Sequence, residues 1–377
     1  MTAPPATAPV GSVQAAAPRR QARPPGRTAA GRVRAADPRP RELVLDLVAA
    51  VLSVHADEPV IEVLAPNDQY EWERLPSVAF HPGAGRNLEE FLRTPVSQET
   101  GHEIGYLQQL AAFNTRPATD TERIVIGYLA LVHDGRQRLR TRSAGRDHRR
   151  ISRWQGCYIY LPWEDWRVGR PVTIDTVILP ALAKWSRAAE TAVRQKAASK
   201  AAMNRRQSER TARIRLAFGS PGAAWAEEKV LTRFELLIEA GLVVEEAALA
   251  GSTNGAPQRV NGGRPGLALG RPMVPGHRRI LAAGLGRLRA DLKLRPVVFE
   301  LMEDSFTLFE LQRTLEIILG PHLHKQNFRR LIETAGIVEP TGRLKSHTGG
   351  RPAQLFRFRR DVLLERPGPW VEGPAGG

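Results

Sequence analysis

The chain has little of three things that often identify a protein class: cysteine, acidic residues and long apolar runs. Cys157 is its only cysteine, so neither a disulfide framework nor a cysteine-based zinc site can form within one chain. The longest apolar run, residues 43–56, is interrupted by Asp46 and His55 and is too short to span a bilayer. The N-terminus also lacks the apolar core of a signal peptide. These absences predict a cytoplasmic protein without a membrane segment.

Acidic residues are outnumbered, with 39 Asp and Glu against 55 Lys and Arg, and the net charge is +16. This excess favours a polyanionic partner, either nucleic acid or an acidic membrane surface, and leaves the fold open. Part of the positive charge has a simpler interpretation as a basic solvated tail, because the first forty residues contain seven arginines and one acidic residue, Asp37. Residues 1–40 are rich in Ala, Pro, Gly and Arg and cannot repay the entropy of ordering, so we predict a disordered basic tail.

The length suits two domains plus extensions. Residues 43–54 and 60–64 flank the turn residues 56–59, which predicts a hairpin or paired strands. Residues 87–97 have helical spacing, with Asn87 as the N-cap. The next predicted elements are strands at 124–132 and 157–161, with a solvated basic loop at 136–153 between them.

The middle of the chain is predicted to be mainly helical. Residues 180–218 form a long Ala-, Arg- and Lys-rich helical stretch, and 225–250 form a second helical region. Residues 251–276 are crowded with Gly, Pro and Asn and are typical of a linker. Helical spacing returns at 278–292, where the apolar stripe consists of Leu281, Leu285, Leu288 and Leu292.

Two helices are predicted near the C-terminus. Thr307 and Glu310 have the spacing of a capping box, and Phe306 and Leu311 are placed for a hydrophobic staple. Gly320 and the proline after it end this helix. The second helix begins near residue 324 or 325 and has an apolar face and a polar face. Its apolar face consists of Phe328, Leu331, Ile332 and Ala335, and its polar face of Gln326, Arg329, Arg330 and Glu333, with Asn327 at the edge.

A glycine-tipped basic hairpin follows the second helix. Gly336 closes the helix, 337–338 begin the hairpin and 355–358 alternate as a returning strand. This order favours a winged helix that reads bases from the major groove and follows the flanking phosphates. The alternative is a surface helix and hairpin whose basic residues only solvate the protein. The expected DNA contacts are Lys325, Gln326, Asn327, Arg329 and Arg330 of the helix, and Arg343, Lys345, His347, Thr348 and Arg351 of a mobile loop.

A second constellation, residues 80–110, resembles the Nudix box, a loop–helix–loop in which several glutamates hold magnesium against a diphosphate. The family pattern has an upstream glutamate and then Arg-Glu-aliphatic-x-Glu-Glu-x-Gly. A gapless alignment on residues 99–101 keeps Glu99 and Gly101. The other glutamate positions are occupied here by Arg86, Pro95 and Gln98.

The chemistry of this degenerate box excludes the usual reaction. A hard cation needs several oxygen ligands, and one carboxylate with an amide supplies too few. Pro95 removes a helix donor at a cost of about 3 kcal/mol unless the helix bends. We therefore expect no metal site and no catalytic residue. A nucleotide diphosphate could still bind here, or the stretch could be only structural. The candidate ligand-binding residues are Gly83, Gly85, Arg86, Gln98 and Glu99.

Together, the degenerate box and the winged helix resemble the Nudix-related transcriptional regulators of bacterial NAD metabolism. The resemblance covers most of 41–366 and is most specific from residue 277 onward. The matching stretches are 98–101, 105–110, 126–132, 162–166, 277–281, 299–302, 306–308 and 325–358.

The resemblance implies an α+β fold: a Nudix-like α/β/α sandwich at 41–298, followed by a winged-helix domain at 299–366. A helical insert would span about 176–250, the glycine- and proline-rich loop 251–276, and a second tail 367–377. The family also implies a homodimer that binds double-stranded operator DNA and represses genes for NAD synthesis or salvage. Its effector would be NAD, ADP-ribose or a related adenine nucleotide, with no further cofactor.

Two other functions stay open. One is a hydrolase of ADP-ribose or a similar nucleoside diphosphate that uses other carboxylates, such as Glu89, Glu90 or Glu103. The other is a general nucleic-acid-binding accessory protein, which predicts steep salt dependence and little preference between sequences.

Overall fold

The computed structural model contains two β-sheets and seven α-helices within the residues that it describes, which are 43–68, 70–81, 87–115, 122–133, 152–194, 200–219, 222–243, 245, 269–346 and 352–359. The strands are β1 (Leu43–His55), β2 (Glu58–Leu64), β3 (Ser77–Phe80), β4 (Tyr106–Thr115), β5 (Glu122–Leu131), β6 (Ser152–Gly156), β7 (Val338–Lys345) and β8 (Ala353–Phe358). The α-helices are α1 (Leu88–Thr100), α2 (Leu179–Arg194), α3 (Lys200–Phe218), α4 (Val230–Glu239), α5 (His277–Leu294), α6 (Leu308–Leu319) and α7 (Lys325–Ala335).

The larger sheet is mixed. Its strand order is β4-β5-β1-β2-β6, and β3 pairs with the first half of β1. Only the β1–β5 pair is parallel, and its register runs from Leu43 opposite Glu122 to Leu52 opposite Leu131. Ala56 and Asp57 join β1 to β2 with φ of 42° and 64°, as a two-residue hairpin requires. The predicted hairpin is therefore confirmed.

Helices cover both faces of this sheet, and the side chains of β1 point alternately to the two faces. Leu47 and Val51 pack with Leu92 and Val96 of α1 on one face. Val48, Ala50 and Leu52 belong to the core on the opposite face, together with the apolar stripe of α5. Helix α5 lies very close to the sheet, since a Cβ on Gly284 would stand 3.1 Å from the Cβ of Ala50. The three layers confirm the expected α+β sandwich.

One expectation about local structure was wrong. Cys157–Ile159 forms a 3-10 turn rather than the start of a strand, and the strand β6 immediately precedes it. This segment is buried, so its apolar run has no alternation to distinguish a strand from a helix. The predicted helical stretch at 180–218 is confirmed over its described residues, which lie in α2 and α3. Within the predicted helical region 225–250, Val230–Glu239 forms α4, and Gly241 follows it at φ 68°.

Several predicted segments lie outside the described residues. These are the tails at 1–40 and 367–377, most of the basic loop and most of the glycine-rich linker; Ser152 and Arg153, the end of the predicted loop, lie in β6. The domain boundary at 298/299 stays a prediction, because the hydrophobic core continues from α5 into the C-terminal helices. In the part of the chain that the structure describes, no helix is long and apolar enough to cross a membrane.

Candidate nucleic-acid interface

The C-terminal module is closed by a small aromatic cluster. Phe299 stacks on Phe358 with ring centroids 4.1 Å apart, and Phe306 lies beside it at 5.3 Å. The backbones of Phe306 and Phe356 exchange two hydrogen bonds of 2.9 and 2.7 Å, which attaches the chain before α6 to the returning strand β8. This pairing holds the wing hairpin against the segment that precedes α6.

Helix α6 begins at the capping box that the sequence predicts. The Thr307 hydroxyl accepts from the Glu310 amide at 3.2 Å, and the Glu310 carboxylate accepts from the Thr307 amide at 2.8 Å. Leu311, Leu315 and Ile318 are fully buried along the inner face. The helix therefore has both a fixed start and a fixed orientation.

The turn between α6 and α7 is held by polar contacts from α6. Glu316 accepts from the Leu323 amide at 2.9 Å, and Gln312 donates to the Leu323 carbonyl at 2.8 Å. Gly320 adopts φ 99°, and a Cβ there would stand 2.8 Å from the Cβ of Trp166. Only glycine allows the turn to lie so close to Trp166, so the entry to α7 is fixed from two sides.

Helix α7 presents a polar face outward. Phe328 and Ile332 are buried at 3% and 0% exposure and anchor its inner side, and Gly336 ends it at φ 62°. The exposed residues are Lys325, Gln326, Asn327, Arg329, Arg330 and Glu333. Among the described residues, no hydrogen bond or ion pair engages the side chains of Arg329 and Arg330. A fixed helix with exposed amide and guanidinium groups is what base recognition in a major groove needs.

The wing differs in part from the expected mobile loop. Arg343 and Lys345 lie in β7, not in a loop, because the strand pairs with β8 up to Lys345. The register shifts between Pro340 and Leu344, and Gly342 has φ 76° within this bulge. The bulge leaves Arg343 exposed. The other predicted wing residues, His347, Thr348 and Arg351, lie outside the described residues.

Lys345 has an internal partner. Its ammonium donates to Oε1 of Glu310 at 2.6 Å, and both side chains are about one-third exposed. The hydrogen bond to Glu310 raises the pKa of Lys345. Its expected phosphate contact would therefore have to replace this carboxylate.

A set of buried charges lies beneath the C-terminal end of α6, and we call it the buried arginine network: Arg233, Arg289, Glu164 and Tyr158. Arg289 and Arg233 each donate five hydrogen bonds and are fully buried. Glu164 accepts from both guanidinium groups. Arg289 also donates to the Ile318 carbonyl at 2.9 Å, so the network joins the sheet-bearing part of the chain to the last turn of α6.

The Nudix-like candidates are only partly described. Gly83, Gly85 and Arg86 lie outside the described residues. Gln98 is exposed on α1, which runs through Pro95, and Asn87 caps the helix as predicted. Glu99 Oε1 lies 3.5 Å from Nη2 of Arg74, so the one retained carboxylate faces an arginine.

Polar groups are also buried under α1. Glu62 and His102 are each 3% exposed and stand 3.5 Å apart, and His102 lies against Trp154 with ring centroids 5.2 Å apart. Among the described residues, no group of three or more His, Cys, Asp and Glu side chains is placed to hold a metal ion. In the described part of this region, Glu62 and His102 are thus an ionisable pair enclosed beside the apolar core under α1.

Sequence reasoning missed the side chains that bind residues outside their own helix. Glu316 and Gln312 hold the α6–α7 turn, and Arg289 holds the end of α6 from 29 residues away. The sequence spacing predicts only a capping role for Glu310, although this side chain also binds the wing. A carboxylate at the third helical position beside a basic hairpin is the one sequence signal that could have suggested this contact.

Comparison with known proteins gives a local match and two distant structural likenesses. Residues 298–358 match the family model described as the NrtR DNA-binding winged helix domain. The chain is 43% identical over 82 residues to the ADPR responsive transcriptional repressor NtrR of Acinetobacter baylyi, a match that covers 22% of this chain and 32% of that protein. The chain thus matches about a third of that relative's length.

The structural likenesses cover more of the chain at lower identity. A crystal structure of Shewanella oneidensis NrtR complexed with a 27mer DNA is 14% identical with a TM-score of 0.47, covering 84% of this chain and 94% of that one. A MutT/nudix family protein from Enterococcus faecalis is 12% identical with a TM-score of 0.44, covering 86% and 90%.

Proposed function

We propose that this protein is a transcriptional repressor whose α7 reads operator DNA in the major groove while the wing contacts the backbone. One observation carries the proposal: Arg329 and Arg330 stand exposed and unengaged by the described residues on a helix that Phe328 and Ile332 fix to the core. The local match to a DNA-binding winged-helix domain supports this role. The expected homodimer would place two such helices on a two-fold operator.

The same comparison supports the proposed effector. The relative that shares 43% identity over 82 residues is named for its response to ADP-ribose. We propose that this chain represses genes of NAD synthesis or salvage, as its resemblance to regulators of NAD metabolism implies, and that it responds to ADP-ribose or a related adenine nucleotide at the Nudix-like sheet domain.

We also propose that the sheet domain is a sensor without hydrolase activity. The ion pair between Glu99 and Arg74 supports this, since it occupies the one carboxylate that the box retains. Incubating the pure protein with magnesium and ADP-ribose tests it. We expect no AMP or ribose 5-phosphate, and sustained turnover would restore the hydrolase alternative.

A mobility-shift experiment tests the repressor proposal. The probes are the promoter of a neighbouring NAD-biosynthesis gene and a duplex of the same length and arbitrary sequence, with and without ADP-ribose, NAD or ATP. We expect the promoter to be bound at least about a thousandfold more tightly than the arbitrary duplex, with ADP-ribose changing that affinity. Equal binding of both duplexes would instead support a general accessory protein.

A further inference from the structure

One carboxylate in the first turn of α6 performs two structural tasks. Oε2 of Glu310 accepts from the amide and the hydroxyl of Thr307, at 2.8 and 3.1 Å. Oε1 of the same group accepts from the Lys345 ammonium at 2.6 Å. A single side chain thus takes part both in the cap of α6 and in the attachment of the wing strand.

The position of Lys345 is unfavourable for a phosphate. Its ammonium is held by Glu310, and the charge of Glu303 acts on it as well. A DNA phosphate that approached it would have to displace the carboxylate and would meet two negative charges. Arg343, two residues earlier on the bulge, is exposed and forms no ion pair with any described residue.

We propose that Glu310 keeps Lys345 away from the DNA backbone and thereby limits binding to DNA of arbitrary sequence. This inference rests on the proposed DNA-binding function and assigns Glu310 as a specificity-determining residue. Phosphate contacts add affinity without sequence information. Withholding one such contact leaves the base-reading face of α7 with a larger share of the binding free energy. The same ion pair fixes the angle of the wing on α6 before DNA arrives.

The salt dependence of binding to an arbitrary duplex measures the number of phosphates engaged. The slope of log K against log salt steepens by about 0.9 for each added contact. In Glu310→Gln, the ion pair is lost while the cap remains, because glutamine also serves at this position of a capping box. We expect this variant to bind the arbitrary duplex several-fold more tightly, with a slope steeper by about 0.9 between about 50 and 200 mM potassium chloride.

Lys345→Met tests the other half of the pair. In the otherwise unaltered chain this variant should leave the slope unchanged, because the ammonium contacts Glu310 rather than phosphate. The double variant Glu310→Gln/Lys345→Met should return to the original slope. A gain that persisted in the double variant would mean that the lost negative charge, and not Lys345, strengthens binding, and this would overturn the inference.

Glu303→Gln is the matched control. It removes the same charge near Lys345 without breaking the hydrogen bond, so the slope should not change. A steeper slope in this control, an unchanged slope in Glu310→Gln, or a flatter slope in Lys345→Met would each overturn the inference while the DNA-binding function stood. Failure of the unaltered chain to bind any duplex would overturn the proposed function and this inference together. Thermal unfolding of each variant confirms that the fold is kept.

Discussion

The buried arginine network and the exposed face of α7 use the same side chain for opposite purposes. Arg289 and Arg233 are fully buried, and each donates five hydrogen bonds to protein acceptors. Arg329 and Arg330 are exposed, with no acceptor among the described residues. A buried guanidinium whose donors are all used makes the fold more rigid, whereas an exposed guanidinium without a protein acceptor can donate to a ligand. The arginines that contribute to the net positive charge therefore include buried groups that hold the fold and exposed groups that the proposed DNA recognition would use.

The largest expected effect comes from a substitution in the buried arginine network. Glu164→Gln removes the carboxylate shared by Arg233 and Arg289 and leaves two buried guanidinium groups without a counter-charge. Removing one partner of a buried pair costs about 3–5 kcal/mol of unfolding free energy. Urea denaturation measures the loss. The control is Glu228→Gln, at a partly exposed pair with Lys293, which should cost less than about 1 kcal/mol.

The second effect concerns the exposed arginines. Arg329→Ala and Arg330→Ala should each weaken operator binding by about 1–3 kcal/mol if they contact base edges. Because both side chains are exposed, the unfolding free energy should change by no more than about 0.5 kcal/mol. Titration of a labelled promoter by anisotropy, beside urea denaturation, separates the two quantities. Unchanged operator affinity in both variants would contradict the base-reading role of α7.

The two regions were not equally predictable from sequence. The faces of α7 and the capping box depend on residues three or four apart, so spacing alone reveals them. The bond from Arg289 to Glu164 joins residues 125 apart, and the bond from Lys345 to Glu310 joins residues 35 apart. Such pairs form only when the packed core brings distant segments together. The local sequence around an arginine does not show whether its side chain will be buried or exposed.

The third effect is smaller and probes the contact between the buried arginine network and α6. Tyr158 accepts from Arg289 at 3.2 Å and donates to the Ile317 carbonyl at 3.3 Å, and burial raises its pKa to about 12, which keeps the hydroxyl neutral. Tyr158→Phe keeps the ring and removes both bonds. We expect a loss of about 1 kcal/mol in unfolding free energy, measured by urea denaturation. A loss as large as that of Glu164→Gln would show that the hydroxyl, and not the carboxylate, organises the network.

The smallest effect is expected where charges are paired but exposed. Arg213 donates to Glu239 at 2.8 Å, and the two side chains are 48% and 43% exposed. Water and salt screen such a pair, so Arg213→Ala should lower the unfolding free energy by only about 0.2–1 kcal/mol, and less at high salt. Urea denaturation at low and high sodium chloride checks both statements. A loss near that of Glu164→Gln would mean that burial does not determine how much an arginine ion pair adds to the unfolding free energy. The contrast between the buried arginine network and the exposed face of α7 would then need another cause.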